Sequence, residues 1–400
     1  MKKALSLMLA AVLVLCCFAA CGGNGGNTDT TAPAGNTTPE AVDFSAEGDY
    51  TGNNTKYVIG ATGPLTGDFS SYGISVQNGA NLAIKEINAA GGLDGVEFVL
   101  NMKDEQGDPT KAQTAYTQLY EEGMQVSIGS VTSGAAESFA TEAANDSVFS
   151  LTPSASAATV IAASDYSFRV CFGDPDQGVL AADKLSEEYK NIGVIYDNSD
   201  TYSSGIYDAF KTEMEKLGTK YIEQSFDKEN KRDFSTQVEA LKDCDVIFLP
   251  IYYAEAGLIA KACVSKGCTA ALFGCDGLDG VKDQIDASVL DHNKVSYITP
   301  FDVNSTEENV AKFVAAYKAD YDGALPDQFA ADGYDAVYAI YNAMKELGVN
   351  NVKVAPDVLG TALKDAFAAG FQYKGVTGEM TWDATGACAK PPIIVEVTAD

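Results

Sequence analysis

Histidine is all but missing. His292 is the only one in 400 residues, which excludes histidine-based catalytic triads, multi-histidine zinc sites and HExxH chemistry. Basic side chains are scarce: 27 Lys and Arg stand against 56 Asp and Glu, a formal charge of -29. A surface this acidic repels phosphate backbones, so no nucleic-acid partner is expected. No Cys-x-x-Cys pair occurs and no cysteine has a histidine-rich neighbour, so no metal site is expected either. GxxxxGK[ST], a GxGxxG after a strand and GxSxG are all missing. Scattered Ser and Asp are then the sole support for an extracellular hydrolase, and neither an enzyme activity nor a cofactor is expected. Beyond the N-terminus no stretch approaches 18 apolar residues, the length a spanning helix requires.

What is present is ordinary globular composition, 46% hydrophobic and 10% aromatic, with enough chain for two or three domains. The chain opens MKKALSLMLAAVLVLCCFAAC, two lysines, an apolar run and small residues before Cys21. Residues 1–20 read as a secretory signal peptide, the run being too short to span a bilayer. Phe18-Ala19-Ala20-Cys21 resembles a bacterial lipobox with Phe in place of the usual Leu, which predicts lipidation at Cys21 and anchoring outside the cell membrane. An ordinary signal peptide with an incidental cysteine is the alternative. Loss of Lys2 and Lys3 with that segment leaves a charge of -31. Residues 21–55, rich in Gly, Asn, Thr, Ala and Pro, read as a flexible linker. Six further cysteines, Cys171, Cys244, Cys263, Cys268, Cys275 and Cys388, are open to pairing or to staying reduced.

From Lys56 onward short β-rich runs alternate with helical spacing. YVIGA (57–61), VEFVLNMKD (96–104), VSIG (126–129) and VFSLTP (148–153) are predicted strands, with helices at 73–91, 109–123 and 134–145 between them. After FRVCFGDPDQG (168–178) the rhythm repeats: a helix near 176–189, then NIGVIYD (191–197), YIEQSF (221–226), DVIFLPI (245–251) and AALFGCD (270–276), separated by helices at 203–217, 233–242 and 254–266. VSYITPF (295–301) is a further strand, and helical patterns follow at 306–321 and 328–347. The strands are mostly uninterrupted Val, Ile, Leu and Phe, as expected of parallel sheets covered on both faces. The predicted fold is therefore α/β, with two similar Rossmann-like lobes and a ligand site in the cleft between them, outside the carboxyl ends of the strands.

The strand ends carry the polar candidates. Ser130, Thr132 and Ser133 end one strand, and Thr152, Ser154 and Ser156 end its neighbour. Each fits a helix cap or turn, yet two such clusters side by side also suit a carboxylate, which hydroxyls and free N–H groups hold well. In the second lobe Asp276 sits past a strand end between glycines, with Tyr202, Tyr252 and Tyr253 past others. An acid beside tyrosine faces suits an ammonium; a turn or cap role for Asp276 is the competing reading. An anion holder facing a cation holder suggests a zwitterion such as a free α-amino acid.

The stretch IGATGPLTGDFSSYGISVQNGANLAIKEINAAGGLDG (59–95) closely resembles the opening of branched-chain amino-acid-binding proteins, the class I extracytoplasmic receptors of amino-acid ABC importers. DEQGDPTKA (104–112), SVTSGAAES (130–138), LTPSASA (151–157), FRVCFGDPDQG (168–178) and a Gly-x-x-Gly-x-x-x-Trp-Asp segment near 375–383 extend the resemblance over 56–400. It implies two lobes joined by a three-strand hinge, the type I periplasmic-binding-protein architecture. The first lobe would be 56–174 plus 300–377 and the second 175–299 plus 378–400, with crossings near Phe172–Pro175, Thr299–Phe301 and Thr377–Gly378. It also implies roles: Tyr72 over the ligand, Ser133 on its carboxylate, the Ala155 carbonyl accepting from its ammonium, the Ser156 hydroxyl and N–H touching the ligand, Tyr202 closing from the second lobe with Tyr252 or Tyr253, and Asp276 pairing with the ammonium where the family commonly has Glu. The expected protein is a monomeric, lipid-anchored extracytoplasmic receptor that hands an amino acid, Leu, Ile or Val above others, to ABC permease subunits. An aromatic amino acid, an amide, urea or an aromatic acid as ligand, or a sensory surface lipoprotein, are the alternatives. Phe301 is a further candidate for the ligand pocket wall, with core or hinge packing the preferred reading.

Overall fold

The computed structural model describes residues 42–47 and 54–398. The signal peptide at 1–20, Cys21 and most of the 21–55 linker lie outside the described residues. The last part of that linker lies against the body. Phe44 is buried, and the Ala355 N–H donates to the Ala46 carbonyl at 2.9 Å. An aromatic ring there gains more from burial than from staying on a solvated tether.

The first sheet contains β1 (Tyr57–Gly63), β2 (Phe98–Asp104), β3 (Val126–Ser127), β4 (Ser150–Thr152) and β5 (Ser167–Arg169), all parallel in the order β2-β1-β3-β4-β5. The helices α1 (Ser70–Ala89), α2 (Pro109–Glu121), α3 (Ser133–Asn145) and α4 (Ala158–Ala162) follow β1 to β4 in turn. Their starts are written locally: Asp108 caps α2 by accepting from the Thr110 and Lys111 N–H groups, and Pro109 occupies the first helical position. Every residue of β1 is buried, as the uninterrupted apolar run requires of a strand covered on both faces.

α5 (Asp174–Glu188) begins the second lobe. Its sheet contains β6 (Ile192–Asp197), β7 (Tyr221–Phe226), β8 (Val246–Leu249), β9 (Ala271–Gly274) and β10 (Val295–Thr299), parallel in the order β7-β6-β8-β9-β10. α6 (Thr201–Leu217), α7 (Ser235–Leu241) and α8 (Tyr253–Lys266) follow β6, β7 and β8, and α9 (Ala287–Leu290) precedes β10. The chain then returns: α10 (Glu308–Asp320) and α11 (Gln328–Leu347) pack on α1, and α12 (Pro356–Ala368) reaches β3. A small antiparallel meander, β11 (Gln372–Gly375), β12 (Gly378–Trp382) and β13 (Cys388–Ala389), comes next. Finally β14 (Ile393–Glu396) pairs antiparallel with β10 at the edge of the second sheet. The two lobes thus share one strand order, and the predicted α/β architecture with parallel sheets is what the structure has.

One boundary differs from the sequence reading. Residues 378–389, expected in the second lobe, stay with the first: β12 pairs with β11, and the Trp382 ring lies 4.7 Å from Phe367. The Trp382 indole also donates to the Arg169 carbonyl at 2.7 Å. The last crossing therefore lies between Ala389 and Ile393, not at Thr377–Gly378. Lys390 sits in that crossing, fully buried, with its ammonium 3.1 Å from Asp332 and 2.5 Å from the Thr377 hydroxyl. Phe301 packs edge-on to Phe313 in the core beside the second crossing, in line with the preferred structural reading. The six cysteines of the described body are buried, unpaired thiols. No helix among the described residues is long and apolar enough to cross a membrane.

Candidate functional site

A sheet wound in this order reverses direction between its first and third strands, and loops leaving the carboxyl ends there diverge and open a crevice. In the first lobe that point lies between β1 and β3, in the second between β6 and β8. The loops from both points, with the turn after β9, meet in one crevice. It is lined by Tyr72, Val131, Thr132, Ser133 and Ser154 from the first lobe, by Tyr202, Tyr252, Asp276 and Gly277 from the second, and by Phe329 at the start of α11. In the closed arrangement its free space is about 10 Å³, room for one water molecule. Admitting anything larger requires the lobes to part or side chains to shift.

Asp276 is the one charged side chain among the described residues lining the crevice. Its Oδ1 accepts from the Tyr202 hydroxyl at 2.7 Å, the Gln177 side-chain amide at 2.9 Å and the Gly277 N–H at 3.0 Å. Its Oδ2 accepts none among the described residues. Gln177 also takes the Asp276 N–H on its own carbonyl oxygen at 2.9 Å, so the glutamine grips the acid by backbone and side chain at once. Burial pushes the Asp276 carboxyl up to about 6, against the pull of the Tyr202 and Gln177 hydrogen bonds. Burial, with the Asp276 charge beside it, holds the Tyr202 phenol far above its usual range, so it stays a proton donor.

Across the crevice stands the start of α3. Thr132 is its N-cap residue, but no side chain caps the first turn, and the Thr132 hydroxyl is buried without a partner among the described residues. Uncapped N–H groups and the positive end of the helix dipole attract an anion there. The Ser133 hydroxyl accepts from the Ala157 N–H at 3.3 Å. Aromatic rings fill the remaining wall: Tyr202 stacks on Tyr252 at 4.8 Å, and Tyr72 lies 4.1 Å from Phe329.

Of the residues singled out by sequence, Tyr72, Ser133, Tyr202, Tyr252 and Asp276 come together in this crevice. Tyr253 stands behind: its backbone N–H donates to the Tyr72 hydroxyl at 3.2 Å and its own hydroxyl to the Asp68 carbonyl at 2.7 Å. Ala155 and Ser156 do not reach the lining. Ala155 packs among Ala136, Ala157 and Val160, the Ser156 carbonyl takes the Arg169 guanidinium at 2.8 Å, and Ser154 lines the crevice instead. Sequence reasoning did not single out Gln177 or Phe329. Gln177 lay inside the FRVCFGDPDQG motif without a role, and Phe329 inside a stripe indistinguishable from core.

Residues 56–400 match the periplasmic binding protein family. The chain belongs to that family. Among relatives of this periplasmic binding protein, the Leu/Ile/Val-binding protein homolog 3 of Brucella melitensis is 28% identical over 339 residues, covering 83% of this chain and 89% of its own. The branched-chain amino acid transporter substrate-binding protein LivJ of Streptococcus pneumoniae, solved with isoleucine, superposes with a TM-score of 0.76 at 29% identity, over 85% of this chain and 95% of its own. A solute-binding protein of an ABC transporter from R. palustris, solved with benzoate, has the same fold, with a TM-score of 0.74 at 20% identity over 85% and 92% of the two chains. This periplasmic binding protein is thus a solute binder rather than an enzyme, and its family places it outside the cytoplasm.

Proposed function

We propose that this protein is the substrate-binding lipoprotein of an ABC importer and that it captures a branched-chain amino acid, Leu, Ile or Val, by closing its lobes on it. The observation that carries this reading is the half-saturated Asp276 carboxylate facing the uncapped start of α3. Oδ2 takes the ligand ammonium, and the Ser133 and Thr132 groups with the α3 amides take the carboxylate. Tyr72, Tyr202, Tyr252 and Phe329 wall the apolar side chain, while Ala155 and Ser156 support the carboxylate side from behind. Closure excludes water from both ends, so a ligand missing either charge leaves a buried partner unsatisfied. Cys21 carries the lipid that holds the body outside the membrane, near the permease.

Relatives that bind Leu, Ile and Val support the aliphatic choice. The four aromatic rings favour one second reading, an aromatic amino acid, and the benzoate-bound fold relative adds an aromatic acid to the ligands to be tested. A bare aromatic carboxylate would face the Asp276 charge with nothing to offset it. The test is a thermal-shift and calorimetric panel of the twenty amino acids, N-acetyl-leucine and benzoate. Isoleucine, leucine and valine are expected to raise the melting temperature, and N-acetyl-leucine to bind roughly 100-fold more weakly or not at all. Binding of benzoate with none of any amino acid would sink the proposal.

A further inference from the structure

We propose that Lys231 is a clasp across the mouth of the cleft that sets how long the lobes stay shut on the ligand. The clasp rests on reading the crevice as the ligand site. Lys231 belongs to the second lobe, in the loop between β7 and α7. Its ammonium lies 3.2 Å from Glu255 on α8 of its own lobe and 3.3 Å from Asp68 on the first lobe. It also stands 5.3 Å over the ring of Phe69, the first-lobe residue just before α1. Around it the same short segment of the first lobe is held twice more. The Tyr253 hydroxyl donates to the Asp68 carbonyl at 2.7 Å, and the Phe69 ring lies 4.9 Å from Tyr252. Tyr72, three residues on from Phe69, donates to the Gly277 carbonyl.

The two carboxylates differ in kind. Glu255 is buried, and among the described residues only one of its oxygens has a partner, the Lys231 ammonium. A buried acid releases its cation reluctantly, so Lys231 stays in place on the second lobe whether the cleft is open or shut. Asp68 is 57% exposed and meets Lys231 only on closure. Closing therefore adds a cross-cleft ion pair and a cation–π contact to a lysine already oriented, with little further side-chain entropy lost. Contacts present only in the shut state shift the equilibrium toward it and slow ligand escape. The exposed half of the clasp is open to screening by salt.

Two variants of the full-length protein test this. Asp68→Asn removes the cross-cleft charge alone and leaves Glu255 paired; Lys231→Met keeps the aliphatic stem over Phe69. Both are expected to release isoleucine about fivefold faster, with the association rate nearly unchanged. Raising salt from 20 to 500 mM should speed release from the unaltered protein and not from Asp68→Asn. Ligand-free scattering should give a larger radius of gyration for both variants. Equal release rates in all three proteins overturn the clasp. If the unaltered protein binds no amino acid, the ligand reading fails instead. The scattering then decides the clasp alone: equal radii overturn it, and larger radii in both variants support it.

Discussion

Asp276 brings one negative charge into a crevice whose described lining holds no compensating cation, and nearly all of the proposed selectivity follows from that. Removing it, as in Asp276→Ala, leaves the ligand ammonium buried and unpaired and is expected to weaken isoleucine binding by roughly 100-fold or more. The pH dependence follows from its carboxyl lying near 6. Above about 7 the group is ionised and affinity is flat; below 6 the ligand must displace a proton, so affinity falls by about tenfold per pH unit. Calorimetry from pH 4.5 to 8 measures this, and Asp276→Asn should be weak and flat across the range. An unaltered slope in Asp276→Asn would assign the titration to another group. At this scale sequence went far because Ser133, Tyr202, Tyr252 and Asp276 follow strand ends, where the fold rule directs attention, while Tyr72, inside α1, came from the family resemblance. Gln177 escaped because its partner is 99 residues away and a glutamine on a helix reads as a solvated face until the turn that it grips is in view.

The element that matters most to the site besides the strand ends is α11, whose first residues come from the far side of the chain. Gln328 donates to the Asp276 carbonyl at 2.5 Å and takes the Thr299 hydroxyl at 3.0 Å, and Phe329 forms part of the crevice wall. α11 is positioned by α1, and the two helices touch through glycine. A Cβ on Gly79 would lie 1.8 Å from the Ala330 carbonyl oxygen, and one on Gly333 would lie 2.6 Å from that of Val76. Neither neighbour is a flexible side chain, so the helices themselves must separate. Gly79→Ala is expected to cost about 1–3 kcal/mol in urea unfolding and to weaken isoleucine binding about tenfold by moving Gln328 and Phe329. Unchanged binding in a destabilised variant would show that α11 tolerates the shift. Strands β1 to β4 and β6 to β10 and the long helices other than α12 were legible from periodicity, α11 to the residue (328–347); α12 was not read. The short pieces were not. β5 is three residues long, and β11 to β14 are two to five residues and outside the β-α rhythm. Their place is decided by contacts such as Trp382 on Phe367, which no local pattern encodes.

Across the whole molecule, burial of acids and excess negative charge act in the same direction. Glu105 is fully buried, and burial pushes its carboxyl up to about 8 against the pull of the Glu105 and Gly107 backbone N–H groups. Asp200, capping α6, is raised to about 6 for the same reason, as is Asp276. In the unfolded chain these groups titrate near 4, so between about 4 and their folded values the native state holds protons that the unfolded state has released. Stability must therefore fall as pH rises through that window, by up to about 1.4 kcal/mol per pH unit for each group still protonated. The carboxylates lowered by hydrogen bonds, Asp104 and Asp245 among them, titrate below the window and do not oppose the trend above pH 5.5. The net charge of -29 adds repulsion that also grows with pH, but salt screens it. In 0.5 M salt the urea midpoint should thus be higher at pH 5.5 than at pH 8, with Asp327 and Asp332, which burial raises to about 7, sharing the part between 6 and 7 with Glu105. Glu105→Gln should raise the midpoint at pH 8 and make the fall between 6 and 8 shallower, most of all above 7. Ligand binding should run the other way, weakening toward acid as Asp276 takes up its proton. A stability curve that rises from pH 6 to 8 would overturn the trend as a whole, and a Glu105→Gln variant less stable than the unaltered protein at pH 8 would mean that the carboxylate of Glu105 is ionised and held by partners.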